Sequence, residues 1–140
     1  MATPNIVNVT SIYGGTAQVI AGATATTSWT YQGLATTTSA TTALTGLTPA
    51  TNSVQKIESI VVANNSGSAA TITVSLANNA TFASSTLTTH LAYQISVAAN
   101  STLVVTDKST SFYLGEGQSI AVSASTASVL LVTASFETIT

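Results

Sequence analysis

The chain has no cysteine and only six charged side chains in 140 residues. Without cysteine there are no disulfides and no thiolate metal sites. Lys56 and Lys108 are the only basic residues apart from His90; Glu58, Asp107, Glu116 and Glu137 are the only acids. Globular domains usually carry about 25% charged residues; this chain carries 4%. Two lysines cannot neutralise a run of phosphates, which excludes nucleic acid as a partner. The same scarcity excludes a basic helix lying on a membrane. The longest apolar runs, such as Val129-Leu130-Leu131-Val132, fall far short of the roughly 18 residues of a membrane span. Met1-Ala2-Thr3-Pro4-Asn5 lacks the basic and apolar stretches of a signal peptide, so a chain made and kept in the cytoplasm is expected.

In place of charge there is Thr, Ser, Ala and Val. Long helix formers such as Glu, Lys, Arg and Gln are scarce, while Thr and Val suit a pleated sheet. The length fits one domain with a real core.

Alternation and turn residues predict about nine or ten short strands. Ile6 to Tyr13 alternates, Gly14-Gly15 reads as a turn, and Thr16 to Ile20 reads as a return strand. Residues 21–53 read as a long Thr/Ala-rich loop or weak strands, with Ser28 to Gln32 and Thr41 to Leu47 as the candidates. Val54 to Ala63 and Thr71 to Leu76 flank Asn64-Asn65-Ser66-Gly67-Ser68 and read as a hairpin. Leu91, Tyr93, Ile95 and Val97 alternate with polar or small residues and predict a half-buried strand facing inward. Thr102 to Thr106, Phe112 to Leu114, a strand with Ile120, Val122 and Ala124 inward, and Val129 to Glu137 complete the set. The turns at Asp107-Lys108-Ser109 and Gly115-Glu116-Gly117 separate them. No segment keeps a helical period. The expected fold is all-β: one antiparallel β-sandwich, jelly-roll-like, across residues 1–140. Residues 1–9 read as an N-terminal arm.

Site chemistry has little to draw on. Paired carboxylates could come only from the four acids, and Asp107 and Glu116, in turns nine residues apart, could share one end of the sandwich. Both read as turn solvation. One histidine cannot build a zinc or copper site. No Gly-x-Ser-x-Gly elbow and no phosphate loop occurs. The expectation is no catalytic residue, no cofactor and no metal. Trp29 and Tyr31, two apart on one predicted strand, place both rings on one face and suit either an interface or sugar stacking. A nearly uncharged β surface fits a subunit covered by neighbours better than a free monomer. The candidate interface residues are Thr3, Pro4, Asn5, Ile6 and Val7 in the arm, with Trp29 and Tyr31.

The ordered segments Ile6-Val7-Asn8-Val9-Thr10-Ser11-Ile12, Lys56-Ile57-Glu58-Ser59-Ile60-Val61-Val62-Ala63-Asn64 and Leu91-Ala92-Tyr93-Gln94-Ile95-Ser96-Val97 carry a resemblance. Ser101-Thr102-Leu103-Val104-Val105-Thr106-Asp107-Lys108, Phe112 to Val122 and Ala134-Ser135-Phe136-Glu137 extend it. Together they resemble small virion structural proteins of tailed bacteriophages, best represented in phages of cyanobacteria. The likeness covers residues 54–137 and, loosely, the first dozen; residues 21–53 depart from it. It implies a virion component on the capsid exterior, a decoration (cement) protein that clamps neighbouring major capsid protein subunits as a homotrimer. A neck, tail or fibre position is the alternative, and a carbohydrate-binding adsorption module is the reading from another class.

Overall fold

Strand-forming residues dominate, and the chain forms strands wherever two faces can be covered. The computed structural model describes residues 9–21, 28–31, 43–45, 47–79 and 88–140. Ten strands lie among them: β1 (Ile12–Ile20), β2 (Ser28–Tyr31), β3 (Ala43–Thr45), β4 (Val54–Asn64), β5 (Ala70–Ala77), β6 (Thr88–Val97), β7 (Thr102–Thr106), β8 (Phe112–Leu114), β9 (Ser119–Ala124) and β10 (Leu130–Ile139). All pairings are antiparallel.

The larger sheet has the order β3-β2-β1-β10-β4-β7, with β8 also on β4; the smaller is β6-β5-β9. The sandwich is therefore built as its composition predicts. The chain alternates between sheets, and the orders β1-β10-β4-β7 and β6-β5-β9 follow the winding of a jelly roll. The core lies between the sheets. Ile57, Ile60, Val62, Leu130, Val132 and Ala134 point in from the larger sheet; Ile72, Val74, Ile120 and Val122 meet them from the smaller one. At about 25 cal/mol per Å² of apolar surface buried, these side chains supply the main drive to fold.

Three expectations need correction. Gly14-Gly15 is no turn. Both glycines lie inside β1, opposite Glu137 and Phe136 of β10. Neither takes the positive φ a glycine turn would use; among the described glycines only Gly117 does, at 76°. Nine consecutive pairs with β10 hold the strand straight through them.

Second, β4 and β5 are not a hairpin. They belong to different sheets, and the Asn64–Ser68 turn carries the chain across the sandwich. The reason is Asn64, which is buried. Its Nδ2 donates to Ser68 O (2.9 Å) and to Val97 O (3.0 Å) on β6; its Oδ1 accepts from Ser66 N (2.9 Å) and Ser66 Oγ (2.8 Å). All four hydrogen-bonding positions of the amide are filled, and one bond joins the two sheets.

Third, Leu91, Tyr93 and Ile95 do not face the core. All three are exposed, Tyr93 at 58%, while Ala92 packs against the core. Two register shifts interrupt the β5–β6 ladder, and Gln94 takes φ 49°. A bulge resets the side-chain alternation, so a period of two counted across it assigns the wrong face. The bulges also protect this edge strand against open-ended pairing.

Candidate functional site

Every charged residue and the only histidine lie among the described residues, so their meeting places can be read directly. Asp107 caps a single 3-10 turn at Lys108–Thr110. Its Oδ1 accepts from Ser109 Oγ (2.6 Å), Ser109 N (2.9 Å) and Thr110 N (3.3 Å), while Thr110 Oγ1 accepts from Asp107 N. This reciprocal cap lets β7 and β8 run along the same edge of β4, on Ile60–Ala63 and Gln55–Ile57 respectively. The hydroxyl and amide of Ser109, then Thr110, hold the Asp107 carboxyl below its ordinary range, with slight burial acting the other way.

Glu116 lies beyond β8, and its Oε2 accepts from Asn52 N at 3.2 Å. The two turn carboxylates therefore have separate partners: Asp107 sits partway along β4, Glu116 past its start. They do not form a pair. Glu58 and Glu137 lie on the larger sheet, where Lys56 forms an ion pair with Glu58. The hydrogen bond from Lys56 to Glu58 raises the lysine's pKa; desolvation opposes this, and the charges of Glu58 and Glu137, with Tyr113, add to it.

His90 has a serine in reach. Its Nδ1 lies 3.0 Å from Ser75 Oγ on β5, and its ring centroid lies 4.7 Å from that of Tyr93. A serine beside a histidine is half of a nucleophile–base arrangement. Among the described residues no third group orients the histidine. Ser75 is buried at 5% exposure between β6 and β9. All four carboxylates are engaged or placed as described above, none beside the imidazole. His90 is a hydrogen-bonding residue on β6, the end strand of the smaller sheet among the described residues. No group of three or more His, Asp or Glu residues able to hold a metal occurs among the described residues. No helix among them is long and apolar enough to cross a membrane.

Of the predicted interface residues, Thr3, Pro4, Asn5, Ile6 and Val7 lie outside the described residues. Where the described chain starts, Val9, Thr10 and Ser11 are exposed. Thr10 N donates to Thr140 O (2.6 Å), and Ser11 and Thr140 exchange backbone hydrogen bonds. These contacts prolong the β1–β10 ladder and fix where the chain enters the sandwich. Trp29 and Tyr31 lie on β2, whose backbone pairs with Ala17 and Gln18 of β1 and with β3; their rings lie outside the described residues.

Composition did not reveal two surface features. Tyr93, Val104 and Tyr113, on β6, β7 and β8, are each more than half exposed. Lys56, Glu58 and Glu137 gather on one sheet face. Only strand register, which the sequence does not display, brings the last of these together. No protein-family model, curated protein or solved structure matches this chain.

Proposed function

We propose that this chain is a non-enzymatic structural protein of a tailed-phage particle, a capsid decoration protein that binds the major capsid protein lattice from outside. One observation carries the reading furthest: a rigid sandwich with six charges leaves Ile12, Tyr13, Leu91, Tyr93, Ile95, Val104 and Tyr113 exposed. Exposed apolar side chains on a charge-poor surface mark a subunit meant to be covered. The ordered sequence segments that resemble phage virion proteins supply the identity of the partner.

The mechanism is mechanical. Binding to the assembled lattice and not to free capsid subunits stabilises the shell by mass action, about 2.7 kcal/mol per site at a hundred times the dissociation constant. The arm at residues 3–9 precedes the Thr10 and Ser11 contacts with Thr140, and its role in this reading is to add to a neighbouring sheet as an extended strand. Copies of the chain meet around symmetry axes of the shell, as trimers.

Deleting residues 2–9 tests the arm: occupancy on particles falls to background, and undiminished occupancy removes the arm from the mechanism. Copy number tests the location. Quantitative mass spectrometry of purified particles gives hundreds of copies for decoration; about a dozen places the chain at the neck or tail.

A second reading rests on Trp29 and Tyr31. Two aromatics two residues apart on β2 suit stacking against a sugar. A glycan array bound by the wild type and lost in Trp29→Ala would favour it.

A further inference from the structure

The outer face of the larger sheet carries one transverse row that gathers half of the chain's charge. Cross-strand register sets Gly14 of β1 beside Glu137 of β10, Glu137 beside Lys56 of β4, and Lys56 beside Tyr113 of β8. Glu58, two residues from Lys56, completes the patch through its ion pair. The other three charged residues, Asp107, Lys108 and Glu116, sit in turns. The rows on either side are uncharged: Ile12, Ile139 and Val54 on one, Thr16, Ser135 and Ser59 on the other. Gln18, Thr133, Val61 and Val104 follow in the next row.

One lysine and two glutamates leave this patch with a net charge of −1. Lys56 gives its ion pair to Glu58, so Glu137 carries the surplus. On its other side lies Gly14, where an added Cβ would meet, among the described residues, only Phe136 O, at 3.9 Å. The floor beside the carboxylate is therefore open. Tyr113 stands at the far end of the row, 61% exposed. Two strand spacings of about 4.8 Å separate it from Glu137, so it adds apolar contact rather than joining an ion pair.

We propose that this face docks on a protein surface that is flat, largely uncharged and presents one arginine or lysine, whose cationic head lies over Gly14 and pairs with Glu137. The inference rests on the reading of the chain as a particle component and names the chemistry of its partner. Charge decides between occupants. A polyanion is repelled by the surplus carboxylate. A second copy of the same face would bring two net-negative rows together, which costs energy. A cation between uncharged rows matches the patch in sign and in number.

The test uses the full chain and particle shells lacking it, with occupancy titrated at several salt concentrations. Glu137→Gln lowers affinity about tenfold, the order expected for loss of a half-buried charge pair, and flattens the salt dependence. Tyr113→Ala lowers affinity and leaves the salt dependence unchanged. Glu116→Gln, which removes an equal charge elsewhere, binds as the wild type does. Unchanged thermal unfolding shows that Glu137→Gln still folds. Wild-type affinity and salt dependence in Glu137→Gln would overturn the inference while leaving the particle reading intact. Failure of the wild type itself to bind shells would overturn that reading and the inference with it. Self-association of the wild type that changes in Glu137→Gln, measured by light scattering, would identify a second copy as the occupant and also overturn it.

Discussion

Replacing Asn64 should damage the fold more than its position in a polar turn suggests. Its amide makes four hydrogen bonds and is 2% exposed. Asn64→Ala leaves Ser68 O, Val97 O and Ser66 N without these partners. A buried polar group left unpaired costs about 1–3 kcal/mol. Of the three, only the bond to Val97 O is fully buried; the turn groups regain water in part. The expected loss is about 2–4 kcal/mol, one full buried penalty plus a fraction for the others. That is a large share of the roughly 5–15 kcal/mol by which domains are stable.

Asn64→Asp sharpens the argument. One oxygen still accepts from Ser66, but the other now faces the two carbonyls that the amide nitrogen served. At pH 7 the penalty exceeds that of alanine. The folded-state carboxyl is then pushed above its unfolded value of about 3.9. A group raised on folding contributes most favourably when protonated, so the gap to wild type narrows as pH falls toward and below about 4. Urea denaturation followed by fluorescence at pH 7 and at pH 4 measures both effects. Asn64→Ala within about 0.5 kcal/mol of wild type, the range of ordinary surface changes, would refute the reasoning. So would an Asn64→Asp gap that does not move with pH.

Other outcomes follow from single features. Ile60, fully buried on β4 between β10 and β7, should lose about 2–5 kcal/mol on truncation to alanine, whereas Ile95→Ala on the bulged edge should lose under about 1 kcal/mol; paired denaturation curves compare them. The Asp107 carboxyl is held low by Ser109 and Thr110, so its stabilisation is present above its unfolded pKa and lost as pH falls through the folded one. Asp107→Asn should therefore remove part of the acid sensitivity below about pH 4, read from stability measured between pH 7 and pH 2.5. Ser128 holds φ 64°, a conformation that costs a non-glycine residue about 1 kcal/mol; Ser128→Gly should raise the melting temperature, and a fall would contradict the strain.

Most of the fold was legible because its signals are local. Thr71 to Leu76 and Val132 to Glu137 alternate apolar and polar residues without interruption, and Val54 to Asn64 ends in an apolar run. Misreadings occurred where a distant partner decided the outcome. Pairing with β10 extends β1 through two glycines. A bulge turns Tyr93 and Ile95 outward. A single amide carries the chain from one sheet to the other. Asn64 did leave a trace, since Asn two residues before Ser commonly closes a side-chain turn on the next backbone N–H. Its burial did not show, because Val97 is 33 residues away. The same holds for the Glu137 row. Gly14, Lys56, Tyr113 and Glu137 are scattered along the sequence and meet only through strand register. The partner of His90, Ser75, lies 15 residues away and also meets it only through strand register.

The proposed function places this sandwich on the outside of a capsid lattice. A cryo-EM map of purified particles tests it most directly, because location and copy number appear together. The account predicts sandwich-shaped density at repeated positions over the shell exterior, with the Glu137 face against the capsid protein. Density confined to the neck, tail or fibres, or particles that lack the chain, would contradict it.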